Sequence, residues 1–189
     1  MGTSLDIAWP QRISSERLLL RPPRHRDRTA LVNLVSDAQV YRHLGGPTPR
    51  AQAQAHLRGP YGKDVGTFTV ADAESDAFLG LVRLDRHAST RPGHRDDPDV
   101  PATRHGEMEL SYSLAVGAWG KGLALEATTA ALAWVAPLVP DRHVIAVTQS
   151  ANTRSVALLR RLGFVEREGF LEFGAEQTLQ VLPLAVEPA

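Results

Sequence analysis

Apolar and polar residues recur with two different periods along the chain, and these periods predict alternating strands and helices. Short runs that alternate or are continuously apolar predict strands, at 16–21, 66–71, 78–84, 107–116, 142–148, 166–173 and 178–186. Segments with apolar residues three or four positions apart predict helices, at 25–40, 50–57, 121–138 and 152–162. Turn residues at 74–76 predict an antiparallel hairpin between the second and third strands. The pattern therefore indicates an α/β fold.

The same periods predict which side chains share a face. On the strand at 107–116, strict alternation separates two sets, namely Glu107, Glu109, Ser111 and Ser113 on one side and Met108, Leu110, Tyr112 and Leu114 on the other. On the helix at 121–138, one face is formed by Leu123, Ala127, Ala130, Trp134 and Leu138. We expect Phe68 and Trp134 to lie in the core, because large aromatic residues are mostly buried.

One segment carries almost no apolar residue. Residues 87–105 are rich in Pro, Asp, Arg and His, so they cannot bury a face and are expected to form a long exposed loop. Their histidines, His87, His94 and His105, match no spacing typical of a metal site. We therefore predict one domain spanning 1–189, with a core at about 14–184, a loop inserted at 87–105, and no metal.

Composition excludes several classes of function. The 189 residues contain 21 basic and 21 acidic side chains, which gives no overall charge attraction to nucleic acid or to an anionic membrane surface. Cysteine is absent, so this chain forms no disulfide, thiolate metal site or cysteine nucleophile. The N-terminal residues show no charged region followed by an apolar run, and we expect a cytoplasmic protein with neither nucleic-acid nor membrane partners.

A glycine-rich turn between a strand and a helix is the clearest candidate for chemistry. Gly117, Gly120 and Gly122 allow the backbone to curl around an anion, and the helix that begins near Lys121 adds its positive dipole end. The spacing does not match the dinucleotide fingerprint, which requires a third glycine after Gly120 and Gly122. It does not match the Walker loop either, which requires Ser or Thr directly after Lys121. A phosphorylated cofactor of another kind is the favoured ligand.

Several motifs occur in a characteristic order around this turn. They are Glu109-Leu-Ser-Tyr112, Trp119-Gly-Lys-Gly-Leu-Ala124 with Glu126-Ala127, Asn152-Thr-Arg-Ser155 and Leu162-Gly-Phe164. Together they resemble the GNAT superfamily of acyl-CoA N-acyltransferases. The segment Ser15-Glu-Arg-Leu-Leu-Leu-Arg-Pro22 further resembles the RimJ/RimL branch, which includes ribosomal-protein N-terminal acetyltransferases.

The resemblance implies a mixed, mostly antiparallel sheet of about seven strands, splayed in the middle and flanked by about four helices. Acetyl-CoA, as co-substrate, would lie in the gap between the strands at 107–116 and 142–148. By the same resemblance, backbone N–H groups would bind its pyrophosphate, from Trp119, Gly120, Lys121, Gly122, Leu123 and Ala124. Main-chain groups of Leu114 and Val116 would pair with the pantetheine arm, and Asn152 and Ser155 would lie near the thioester.

Acyl transfer to an amine needs a base, because only a neutral amine attacks a thioester. Glu109 is our first candidate, since it matches a glutamate common at this position in the branch; the alternative is a plain solvated strand face. Glu172 and Glu176 of the C-terminal hairpin are kept as further candidates. The position that holds a thiolate-protonating tyrosine in many relatives is Leu159, so Ser155, or a bound water, is expected to serve as donor. Asn152 and Ser155 also fit simple helix capping.

The sequence is thus interpreted as an acetyl-CoA-dependent N-acetyltransferase that works by direct transfer in a ternary complex. The amine acceptor, a protein N-terminus or a small molecule, would bind around 41–44 and 170–176. Two alternatives stay open: a catalytically inactive acyl-CoA sensor or interaction domain, and a nucleotide-binding oxidoreductase. A homodimer is common in the family that the chain resembles.

Overall fold

The computed structural model describes residues 7–9, 11–59, 61–86 and 106–184. The strands are β1 (Ile13–Ser14), β2 (Leu18–Arg21), β3 (Thr67–Asp72), β4 (Phe78–Arg86), β5 (Met108–Leu114), β6 (His143–Gln149), β7 (Val165–Glu172) and β8 (Ala175–Pro183). The α-helices are α1 (Arg28–Val35), α2 (Arg50–His56), α3 (Leu123–Val135) and α4 (Thr153–Arg161). Short 3-10 turns occur at His25–Asp27, Tyr41–His43, Val116–Ala118 and Ala136–Leu138.

All eight strands belong to one sheet, in the order β1-β2-β3-β4-β5-β6-β8-β7. Neighbouring strands are antiparallel except β5 and β6, which are parallel. The predicted hairpin between β3 and β4 is present. The prediction of a mixed, mostly antiparallel sheet with four helices is confirmed for the described residues, and the strand beyond the expected seven is the two-residue β1.

The sheet opens at its centre. β5 and β6 pair only at Met108–Val144 and Glu109–Ile145, whereas each strand pairs along its whole length with its outer neighbour, β4 or β8. Toward their C-terminal ends the two strands therefore diverge, and their facing backbone edges are left without a sheet partner. The predicted splay is present, and it places a gap between 110–114 and 146–149.

The main core lies between one face of the sheet and the helices α3 and α4. It includes buried residues from both halves of the sheet and from both helices, among them Leu20, Phe68, Val82, Leu110, Ala127, Val144, Ala146 and Leu159. On β3, Phe68 and Val70 point into this core, so Thr69 between them points to the opposite face. Thr69 there bonds Asp27, immediately before α1. The helix α1, which packs on β4, therefore covers the opposite face.

The predicted face of α3 is confirmed at Leu123 and Ala127, whereas Ala130 and Trp134 lie at its edge and are only partly buried. The buried residues are Leu123, Ala127, Thr128, Ala131, Leu132 and Val135, while Leu138 is 45% exposed. Leu138 is exposed because the α-helix ends at Val135 and a tighter 3-10 turn follows, which rotates later side chains off the helical face. Phe68 is fully buried as predicted, and Trp134 is partly buried against it, with edge-to-face packing at 5.0 Å.

The remaining comparisons with the predicted elements concern the segments 25–40 and 87–105. The helix predicted at 25–40 is a 3-10 turn followed by the shorter α1. The predicted exposed loop at 87–105, with its three histidines, lies outside the described residues. No helix in the described part of the chain has the length and apolarity that a membrane span requires.

Candidate active site

The glycine turn lies at the open end of the gap. β5 ends at Leu114, a 3-10 turn follows, and α3 begins at Leu123 with Gly122 as its N-cap. Gly120 and Gly122 have left-handed backbones, with φ of 73° and 76°, a conformation that glycine adopts without steric cost. As a glycine, Gly122 caps α3 without a side chain. First-turn amides and the positive end of a 13-residue helix thus lie where an anion could bind.

Trp119 joins this turn to both sides of the gap. Its indole Nε1 donates to the Leu114 carbonyl at 2.8 Å, and its backbone N–H donates to Val116. The guanidinium of Arg154, in the first turn of α4, lies 5.0 Å from the centre of the indole ring, within the range of a cation–π contact. Leu114 and Val116 therefore already use one carbonyl lone pair each within the protein.

At the start of α4, a capping interaction and a hydroxyl pair meet on Ser155. The Asn152 side chain accepts a hydrogen bond from the Ser155 backbone N–H at 3.3 Å, which confirms the predicted N-cap. The Ser155 hydroxyl lies 2.8 Å from the Tyr112 hydroxyl. Burial raises the pKa of Tyr112, and the Ser155 hydrogen bond only partly opposes this. A phenol on β5 thus reaches across the gap to α4.

Sequence reasoning gave Tyr112 no role, although strand alternation had placed it correctly on the side opposite Glu109. The missing signal was the packing of α4 near β5, because Tyr112 and Ser155 are 43 residues apart in the sequence. Leu159, where many relatives would carry a tyrosine, is instead fully packed in the core. The structure brings a tyrosine hydroxyl to Ser155 from a different element.

Glu109 lies at the closed end of the gap. It is only 7% exposed and occupies the last β5–β6 pair, between Asp85 on β4 and Ile145 on β6. The alternative of a plain solvated strand face is therefore wrong. Strand alternation puts Glu109 on the face of Ser111 and Ser113, away from the α3 and α4 core.

On that face a short turn bridges the two strands that border the gap. Tyr41 forms a side-chain hydrogen bond with Ser113 on β5, and burial raises the pKa of its phenol. His43 Nδ1 lies 3.0 Å from Gln149 Oε1 at the end of β6. The turn Tyr41–His43 thus covers the gap opposite α4, within the segment predicted to hold the acceptor.

The reserve carboxylates lie elsewhere. Glu172 and Glu176 flank the turn between β7 and β8, and Glu176 accepts a backbone hydrogen bond from Ser150, just after β6. This places Glu176 beside the open end of the gap, whereas Glu109 lies at the closed end. Within the described residues, no group of three or more His, Asp or Glu side chains is arranged to hold a metal ion.

Comparisons with known proteins agree with this geometry. Residues 17–165 match the family model described as an acetyltransferase (GNAT) domain. A GNAT-family acetyltransferase structure from Bacillus anthracis superposes with a TM-score of 0.73 at 18% identity, covering 92% of this chain and 98% of that one.

Two further similar structures contain CoA. Spermidine N-acetyltransferase from Vibrio cholerae, in complex with CoA and spermine, superposes with a TM-score of 0.68 at 20% identity over 89% of this chain and 96% of that one. RimL, a ribosomal L7/L12 alpha-N-protein acetyltransferase in complex with CoA, gives 0.66 at 15% identity over 92% and 98%. At these low identities the superpositions show a shared fold. The match to the family model covers well over half of the sequence. The chain therefore belongs to the acetyltransferase (GNAT) domain family.

Proposed function

We propose that this protein is an acetyl-CoA-dependent N-acetyltransferase that transfers an acetyl group directly to a primary amine in a ternary complex. The observation that carries the proposal is the gap between β5 and β6 with a glycine turn and a helix N-terminus at its open end. A long, phosphorylated co-substrate can enter such a gap with its anionic part at the helix and its reactive end inside.

The co-substrate would be held mainly by backbone groups. In this proposal the pyrophosphate accepts from the N–H groups of Gly120, Lys121, Gly122, Leu123 and Ala124. The Trp119 N–H, which already donates to the Val116 carbonyl, shapes the turn. The free edge of β5 at Leu114, with main-chain groups of Val116 in the turn that follows, pairs with the amides of the pantetheine arm as a missing strand would. Asn152 holds the start of α4, so that Ser155 faces the thioester.

The acid and the base would act from opposite faces of β5. Glu109 lies three residues, about 10 Å, along the strand from Tyr112, so a water is needed between Glu109 and the amine. Through this water Glu109 accepts the proton that the amine loses. The amine nitrogen forms the new bond to the acetyl carbon, and the C–S bond breaks. Tyr112 stays protonated, since its pKa is raised, and donates to Ser155; the Ser155 proton then points at the departing thiolate.

The acceptor is proposed to be a protein N-terminus or a small amine. The segment 15–22 favours the RimJ/RimL branch, and the bridging turn Tyr41–His43 with the 170–176 hairpin would form the acceptor site. A catalytically inactive acyl-CoA-binding domain is the alternative. No observation on the described residues favours it, and the buried position of Glu109 fits an enzyme better.

The first test is a calorimetric titration of the purified protein with acetyl-CoA, with NAD as the control ligand. Saturable binding of acetyl-CoA and none of NAD supports the proposal; absence of acetyl-CoA binding overturns it. Thiol release with a panel of amines then measures turnover.

The base is tested by Glu109→Gln. We expect kcat to fall about 10²-fold or more, while acetyl-CoA binds as in the wild type. Glu107→Gln is the matched control, because Glu107 lies two residues away on the same face and pairs with His143 at 2.8 Å near the edge of the site. Equal turnover in Glu109→Gln and the wild type would remove Glu109 from the mechanism.

A further inference from the structure

A cluster of side chains beneath the glycine turn is unused by this mechanism. Arg17, in the turn between β1 and β2, donates from Nη1 to the Lys121 carbonyl at 3.0 Å. The same guanidinium binds Glu126 in the first turn of α3, with Nε and Nη2 at 2.8 and 2.7 Å from Oε2. The other Glu126 oxygen accepts from the Arg17 backbone N–H at 2.8 Å and from the Ser15 hydroxyl at 2.7 Å.

This contact fixes the orientation of one peptide group in the turn. In a trans peptide the carbonyl and the following N–H point in opposite directions. Because Arg17 holds the Lys121 carbonyl, the N–H of Gly122 points away from Arg17. An added Cβ on Gly122 would lie 3.6 Å from Arg17 Nη2, which shows that the guanidinium lies directly against this peptide. The flexible Gly122 is thus held in one conformation before any ligand binds.

The cluster also determines the charge of Glu126 beside the turn. Burial disfavours ionisation of Glu126, but hydrogen bonds from Ser15 and Arg17 outweigh it and hold the pKa of Glu126 below its usual value. A carboxylate in the first turn of α3 suits the helix dipole, yet it would repel a phosphate bound at the same helix end. The Arg17 guanidinium, 48% exposed beside a Glu126 side chain that is 16% exposed, neutralises it there.

We infer that Arg17 is a positioning residue for the phosphate-binding turn: it fixes the Lys121–Gly122 peptide and cancels the charge of Glu126, without touching the substrate. This inference rests on the proposed function, since it takes the turn as the pyrophosphate site. A positioning role for Arg17 differs from a general stabilising role in its effect on different ligands. Loss of Arg17 must weaken ligands that carry the phosphates and spare those that lack them.

The test compares acetyl-CoA with S-acetylpantetheine, which keeps the thioester and lacks the phosphates. In Arg17→Met we expect the Kd and KM for acetyl-CoA to rise about tenfold, as for the loss of one charge-assisted hydrogen bond, with kcat unchanged. The KM for S-acetylpantetheine should equal that of the wild type. Adding Glu126→Gln should restore part of the acetyl-CoA affinity, because the uncompensated carboxylate is gone. Arg17→Lys should be intermediate, since it keeps the charge but not the forked contact.

Arg83→Met is the matched control for binding. Arg83 is also 48% exposed and pairs with a carboxylate, Asp85, at 2.7 Å, but it lies on β4 away from the turn, so its acetyl-CoA Kd should not change. Three results would overturn the inference: equal loss for both thioesters in Arg17→Met, unchanged acetyl-CoA affinity in that variant, or wild-type affinity in Arg17→Lys. Failure of the wild type to bind acetyl-CoA would instead refute the proposed function.

Discussion

Replacement of Tyr112 by phenylalanine removes a single oxygen atom from the candidate site. The ring stays and no cavity forms, so the main change is the loss of the hydrogen bond to Ser155 at 2.8 Å. Tyr112 is partly buried, and the Ser155 hydroxyl becomes free to rotate or to bond a water. The substitution therefore asks whether the orientation of Ser155 matters to the reaction.

The expected effects on stability and on catalysis differ in size. A neutral side-chain hydrogen bond contributes about 1 kcal/mol to folding, which lowers Tm by roughly 3 °C for a chain of this length. A hydrogen bond to a charged group contributes about 1.5–3 kcal/mol. If half of that is lost when Ser155 no longer points at the thiolate, kcat falls roughly 4- to 12-fold. Ser155→Ala removes the donor itself and should cost at least as much.

Thiol release under saturating acetyl-CoA measures kcat, with calorimetry to check that binding is intact. Tyr41→Phe is the matched control, because Tyr41 also places a partly buried phenol beside a serine of β5, namely Ser113, but on the opposite face. It should change the KM of the amine and leave the Kd of acetyl-CoA unchanged.

The decisive comparison uses the double variant. Since Tyr112 acts through Ser155, adding Tyr112→Phe to Ser155→Ala should lower kcat no further. Independent, multiplicative losses in the double variant would refute the reasoning, and so would an unchanged kcat in Tyr112→Phe alone.

Two further predictions concern the scaffold. Asp27→Asn breaks a bidentate pair with the fully buried Arg21 and should cost about 3 kcal/mol at pH 7 by chemical denaturation. Burial opposes ionisation of Asp27, but its hydrogen bonds hold the pKa of Asp27 below the usual value. The wild type therefore keeps this stability above about pH 4 and loses it as the pH falls further. If the unfolding free energy of Asp27→Asn fell just as steeply with pH below about 4, the assignment would be contradicted. Gly122→Ala, at a φ of 76°, should strain the turn by about 1 kcal/mol and weaken acetyl-CoA about fivefold by calorimetry. Gly117→Ala, where an added Cβ meets nothing within 4 Å, should bind as the wild type does.

The sequence predicted what depends on local pattern. The strands, the hairpin at 74–76, the glycine turn and the Asn152 cap follow from the side-chain period and from backbone preferences that act over a few residues. The burial of Glu109 could not be predicted in this way, because it depends on which strands flank β5 on each side. The exposed alternative for Glu109 was reasonable for an isolated strand and wrong for one at the centre of a sheet.

Contacts between distant elements were also beyond local pattern. Arg17 meets Glu126 across 109 residues and Tyr112 meets Ser155 across 43. The first contact depends on the packing of β1 and β2 on α3, and the second on the packing of β5 near α4, rather than on a motif. The exposure of Leu138 was missed for a related reason: the α-helix gives way to a 3-10 turn after Val135, and an apolar stripe that continues through Leu138 does not reveal this change.

The short pairing of β5 and β6 makes the centre of the sheet a hinge. The ladder joins the two halves only at Met108–Val144 and Glu109–Ile145, so widening the gap at its open end breaks no sheet hydrogen bond. What resists widening there is a set of side-chain contacts, from Trp119 to Arg154 and from Tyr112 to Ser155, together with the bridging turn Tyr41–His43 on the other face. The shared packing of α3 and α4 limits movement deeper in the core. A co-substrate can thus enter or leave the gap when a few side-chain contacts loosen, while every strand stays paired with its outer neighbour.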